Sequence, residues 1–129
     1  MLHVLLSVLR GQLTNSPSNT VAMTGERVTF RCASRSDKDR RKRWEYGTSV
    51  VDTVHSGFSD GWSPRFKAGF EIDNQTNGQF NLVIKSVKPS DAGIYSCLCV
   101  DALTTSKARA QLIVIGRTML VLYFKLSIF

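Results

Sequence analysis

The stretch GFSDG, Gly57 to Gly61, has the spacing of a nucleophile site. In G-x-S-x-G the serine rides a sharp turn from a strand into a helix, which lifts its hydroxyl above a hydrolase sheet. Ser59 would be that nucleophile, with His55 and Asp60 as its partners. The surroundings do not support the chemistry. WSPRF follows instead of a helix, and all three groups crowd into one short loop with no oxyanion hole in view. The stretch reads as a loop. His3 and His55 stand alone and do not make a metal site, which needs several converging ligands. The sequence implies no catalysis, no metal and no cofactor.

A second chemical feature is the basic run SDKDRRKRW, Ser36 to Trp44. From Arg35 to Arg43, six residues are basic, and Asp37 and Asp39 offset part of the charge. Such a run serves as an anion-binding patch, a nuclear address or a solvated loop. Nucleic acid is disfavoured, because no interleaved aromatics offer stacking platforms. The whole chain has a formal net charge of +7, which favours anionic partners and is silent on fold.

Three cysteines, Cys32, Cys97 and Cys99, allow one disulfide and leave one thiol over. The third thiol is read either as a small buried hydrophobe or as half of an intermolecular bond. NQT at Asn74–Thr76 is a glycosylation sequon in a turn, with Asn74 as the acceptor.

These residues need elements to hold them. The chain has 129 residues, enough for one domain, with 43% hydrophobic and 21% charged residues. Its middle shows no long helical period. Short alternating runs separated by turn residues point to strands. RVTFRCA places Val28, Phe30 and Cys32 on one face. RFKAGFEI does the same for Phe66, Ala68, Phe70 and Ile72. QFNLVIK places Phe80, Leu82 and Ile84 inward, and GIYSCLC places Tyr95, Cys97 and Cys99 together. ARAQLIVI is a late strand, apolar at its end. Turn chemistry marks Thr24–Glu26, Asp73–Gly78 and Lys88–Gly93. Eight or nine strands are expected over residues 12–116.

The ends differ from the middle. Residues 1–11 resemble the tail of a signal-peptide core, and the alternative is an apolar extension of the first strand. Residues 117–129 are apolar around Lys125. As a helix, the twelve residues after Arg117 would reach about 18 Å, against a hydrocarbon core of about 30 Å. The segment is not a complete span, and membrane attachment is expected only if a longer chain exists.

Cys32, Trp44 twelve residues on, and Cys97 preceded by Tyr95 together give the chain a recognisable order. With RVTFRCA, the Arg65–Phe66 pair and NLVIKSVKPSDAGIYSC, the chain resembles a V-type domain of the immunoglobulin superfamily over about residues 12–116. The resemblance implies an all-β, two-sheet antiparallel Greek-key sandwich. It implies a Cys32–Cys97 disulfide, worth roughly 4 kcal/mol for a loop of that length. It also implies a core built on Trp44, a tyrosine corner at Tyr95 and an ion pair between Arg65 and Asp91. The length from Trp44 to Phe66 leaves room for the extra V-type strands near Ser49–Val54.

Two departures separate the chain from antigen-receptor domains. WEYGTS lacks the pairing glutamine after the tryptophan, and KARAQLIVIG lacks a Phe-Gly-x-Gly bulge. The resemblance therefore implies adhesion or innate recognition, secreted or at the cell surface. The expected partner is a protein or an anionic glycan, not nucleic acid. The basic run falls in the loop between the second and third strands of the pattern, at the end where binding loops gather. Arg40, Arg41 and Lys42 are its candidate ligand-binding tip. The alternative is self-association, as a homodimer, through the sheet face containing the strand of Trp44.

Overall fold

A computed structural model describes residues 13–35, 41–47, 49–53, 69–73, 78–100, 105–116 and 125. Among the described residues, ten strands form three hydrogen-bonded sheets. The largest carries β2 (Thr20–Met23), β10 (Thr105–Ile115), β9 (Gly93–Val100), β5 (Arg41–Tyr46) and β6 (Ser49–Thr53), in that order. Facing it are β3 (Val28–Phe30), β8 (Asn81–Ile84) and β7 (Phe70–Asp73). A short pair joins β1 (Leu13–Asn15) to β4 (Ala33–Ser34). Among the described residues no helix is long and apolar enough to cross a membrane.

Local chemistry explains why the strand count exceeds the sequence expectation. The first edge splits in two around Pro17, which has no N–H to give a ladder. Its first half pairs antiparallel with β4 and its second half pairs parallel with β10. RVTFRCAS also breaks in two, at Arg31 and Cys32. The Asn81 side chain closes that break, accepting the buried Cys32 N–H at 2.9 Å. Phe80 N–H then donates to Cys32 O at 2.9 Å, and Ser34 N–H to Gly78 O at 2.9 Å. Gly78 has φ 75°, and a Cβ there would overlap the Ser34 carbonyl oxygen. Only glycine lets the two backbones come this close.

Alternation sends one face of each strand inward. Val28, Phe30 and Cys32 meet Phe80, Leu82, Ile84, Trp44, Tyr95 and Cys97 in one core. Cys32 and Cys97 are joined, with their Cα atoms 6.6 Å apart, so the bridge ties the two facing sheets. Trp44 lies directly opposite Cys97 in the β5–β9 register and is fully buried. Its indole Nε1–H donates to Phe80 O at 2.6 Å, so the one polar atom of the ring is satisfied. Tyr95 packs at a tilt against Phe30 and Tyr46, with ring centroids 5.3 Å and 5.0 Å away. Its hydroxyl donates to Asp91 O at 2.6 Å, in the 3-10 turn Pro89–Asp91 that precedes β9. The Asp91 carboxylate accepts Lys88 N–H at 2.8 Å and is itself buried.

Trp44 therefore carries both packing and a buried hydrogen bond. Trp44→Ala should cost about 3–5 kcal/mol, as for other large core aromatics. Thermal melting checks this: a variant that melts within a degree or two of the parent would show that Trp44 does not hold the core.

Candidate recognition surface

The outer face of the five-stranded sheet is where this fold presents chemistry. In RKRWEY the strand period turns Lys42, Trp44 and Tyr46 inward and Arg43 and Glu45 outward. β5 begins at Arg41 because β9 runs on to Val100 and pairs with it: Arg41 meets Val100 and Lys42 meets Cys99.

That register corrects the sequence expectation for Lys42. It is not part of an exposed tip but 1% exposed, with its Nζ 5.7 Å from the centroid of the Phe80 ring. The four-carbon stem fills the interior, and the ammonium lies over an aromatic face. Arg41 is a strand residue rather than a loop residue. Arg40 lies outside the described residues, as do Arg65, Asn74, the Gly57–Gly61 loop and the end segments 1–11 and 117–124. Cys99, opposite Lys42, is buried and outside the disulfide, so its thiol is not offered at the surface.

Sequence reasoning missed a charged network on the outward face. Glu45 accepts from Arg43 at 3.1 Å through one oxygen, and its other oxygen lies 3.5 Å from Lys107 Nζ. Glu45 pairs with Ser96, and Lys107 pairs with Leu98, so the carboxylate reaches diagonally across β9. Ser96 and Leu98 lie beneath this network and are buried although they face outward. The opposite sheet repeats the device. Glu71 holds Arg27 and Lys85 at 3.6 Å each, beside outward-facing but buried Val83. Burial separates the two in strength. The Glu45 side chain is 12% exposed and that of Glu71 is 44% exposed, so water screens the second far more. The signal for the first network was the alternation around Trp44. The missing information was which strand lies next to which.

Facing sheets bridged beneath a buried tryptophan, with a tyrosine corner, define an immunoglobulin-type sandwich. The family model for the immunoglobulin V-set domain matches residues 15–114, and the chain belongs to that family. It is 34% identical over 116 residues to neural cell adhesion molecule L1 of Rattus norvegicus, covering 90% of this chain and 8% of that protein. It is 25% identical over 105 residues to the cell adhesion molecule DSCAML1 of Gallus gallus, covering 79% of this chain and 5% of that one. The chain thus spans under a tenth of the length of these relatives. In fold it is similar to the titin domains Z1Z2 solved in complex with telethonin, with a TM-score of 0.66 and 19% identity. That likeness covers 81% of this chain and 47% of the other. It is similar also to the titin M10–obscurin-like 1 immunoglobulin complex, with a TM-score of 0.64 and 16% identity, over 82% of this chain and 97% of the other. The chain is thus a V-set domain of the immunoglobulin superfamily.

Two variants separate the buried cation from the surface network. Lys42→Ser should lower stability by about 1–2 kcal/mol, through lost packing and the lost ring contact. A Lys42→Ser protein that melts like the parent yet leaves a heparin column at lower salt would reinstate an exposed tip. Glu45→Ala leaves Arg43 and Lys107 facing each other and uncovers Leu98, at a cost of about 1 kcal/mol. Added salt should shrink the Glu45→Ala difference, and chemical denaturation at two ionic strengths measures it.

Proposed function

We propose that this chain is a non-enzymatic recognition domain working outside the cell or at its surface, and that it binds a different protein rather than a second copy of itself. The carrying observation is the outer face of β5, β9 and β10. Its described charges are Arg43, Lys107 and Arg109 against the single carboxylate of Glu45. Sheet faces of this size serve protein contacts, and complementary charge sets encounter rate and partner choice. Two copies of a face with that balance repel. Self-association through this face is therefore the weaker reading. The end loops are a second route, with Arg40 as their cation, but Lys42 is not available there.

Microspheres coated with the chain test this reading against intact cells. They should bind cell surfaces, stay dispersed from one another, and keep binding after heparan sulfate is removed enzymatically. Microspheres that clump together without cells would establish self-adhesion instead. Loss of binding after heparinase would make the partner a glycan. Binding no greater than that of Trp44→Ala microspheres would end the recognition reading.

A further inference from the structure

Among the described residues, three large hydrophobic side chains are strongly exposed: Val21 at 60%, Ile113 at 46% and Ile94 at 43%. They come from three separate parts of the sequence, and the register gathers them. Ile113 pairs with Val21 across the parallel β10–β2 ladder. Ile94 pairs with Gln111, which makes it a diagonal neighbour of Ile113 on the same outward face. The inward neighbours Ala22 and Leu112 are buried, so the core is already closed without these three. Clustered exposure of this kind marks a contact surface, whereas single exposed hydrophobics are ordinary.

The same face carries charge farther along β10. Outward positions run Lys107, Arg109, Gln111, Ile113. At about 3.4 Å per residue, Arg109 lies about 14 Å from Ile113. An apolar end thus grades into a cationic end along one strand. Glu45 is already engaged by Arg43 and Lys107, which leaves exposed Arg109 as the cation nearest the apolar cluster on this row.

We propose that Val21, Ile94, Ile113 and Arg109 form a docking surface for an extended segment of a partner protein that carries, on one face, apolar side chains two residues apart followed by a carboxylate. Such a segment repeats its side chains at the spacing of the β10 row, sets its apolar groups on the Ile113 cluster and pairs a carboxylate with Arg109. A second copy of this chain would leave both Arg109 side chains without a carboxylate partner from this row, whose outward positions are Lys107, Arg109, Gln111 and Ile113. The proposal rests on the recognition reading above and names the chemistry of the partner.

Two short synthetic peptides serve as probes: the Leu–Glu peptide places two Leu and then a Glu at every second position with Ser between them, and the Leu–Lys peptide has Lys in place of the Glu. The folded chain should bind the Leu–Glu peptide and not the Leu–Lys peptide in calorimetry. Ile113→Ser and Arg109→Ser should each weaken the first interaction about five- to tenfold while leaving the melting temperature unchanged. Equal binding of both peptides, binding of neither, or binding indifferent to Ile113→Ser would overturn the proposal. So would sedimentation showing a dimer that Ile113→Ser dissociates, because the occupant would then be a second copy. Should the peptides fail while coated microspheres still bind cells, the partner chemistry is wrong and the recognition reading stands. Should the microspheres fail, that reading falls on its own.

Discussion

The bridge between Cys32 and Cys97, with Trp44 set directly opposite Cys97, is the constraint on which the other contacts depend. It joins β9 of one sheet to the break just after β3 of the facing one, so each sheet's apolar face finds the other at fixed separation. Its closed loop removes freedom from the unfolded chain, worth roughly 4 kcal/mol in the chain-entropy account. The effect continues outward. Phe80 lies beneath Trp44 and accepts its indole N–H, and the same residue donates its own N–H to Cys32 O. The bridge, the tryptophan and the break in the β3–β4 strand are one connected structure.

That core leaves little tolerance where backbones converge. Asn81 supplies a side-chain acceptor where the ladder has none, and Gly78 lets the chain pass the Ser34 carbonyl. Gly93 plays a similar part at the start of β9: a Cβ there would press on the Tyr46 ring, whose hydroxyl donates to Ala92 O. These residues look like ordinary turn and strand members in sequence. Their importance comes from what lies across from them.

The outer faces show how the domain keeps a buried central strand without a covering layer. On each sheet a carboxylate sits between two cations beside an outward-facing apolar residue of the central strand, Leu98 on β9 and Val83 on β8. Side chains with long apolar stems and charged ends suit this use. The arrangement hides Leu98 and Val83, so the exposure of Val21, Ile94 and Ile113 stands apart from it. Stability does not require that exposure, because the core beneath is closed.

The sequence by itself determined the class of fold, because alternation in RVTFRCA, QFNLVIK and GIYSCLC is a local property fixed by the two-residue strand period. It also marked Cys32, Trp44, Cys97 and Tyr95 by order and spacing, through their resemblance to a known family pattern. Tertiary structure alone decided the rest. Lys42 looked like part of a solvated charge run, since a run with six basic residues between Arg35 and Arg43 carries no sign of which one turns inward. Only the pairing of β5 with β9 placed the strand start at Arg41 and sent Lys42 over Phe80. The parallel pairing of β2 with β10, the reach of Glu45 to Lys107, and the meeting of Val21, Ile94 and Ile113 were equally hidden. Each depends on register between strands far apart in sequence, and register is set by packing across the whole sandwich rather than by any local run of residues.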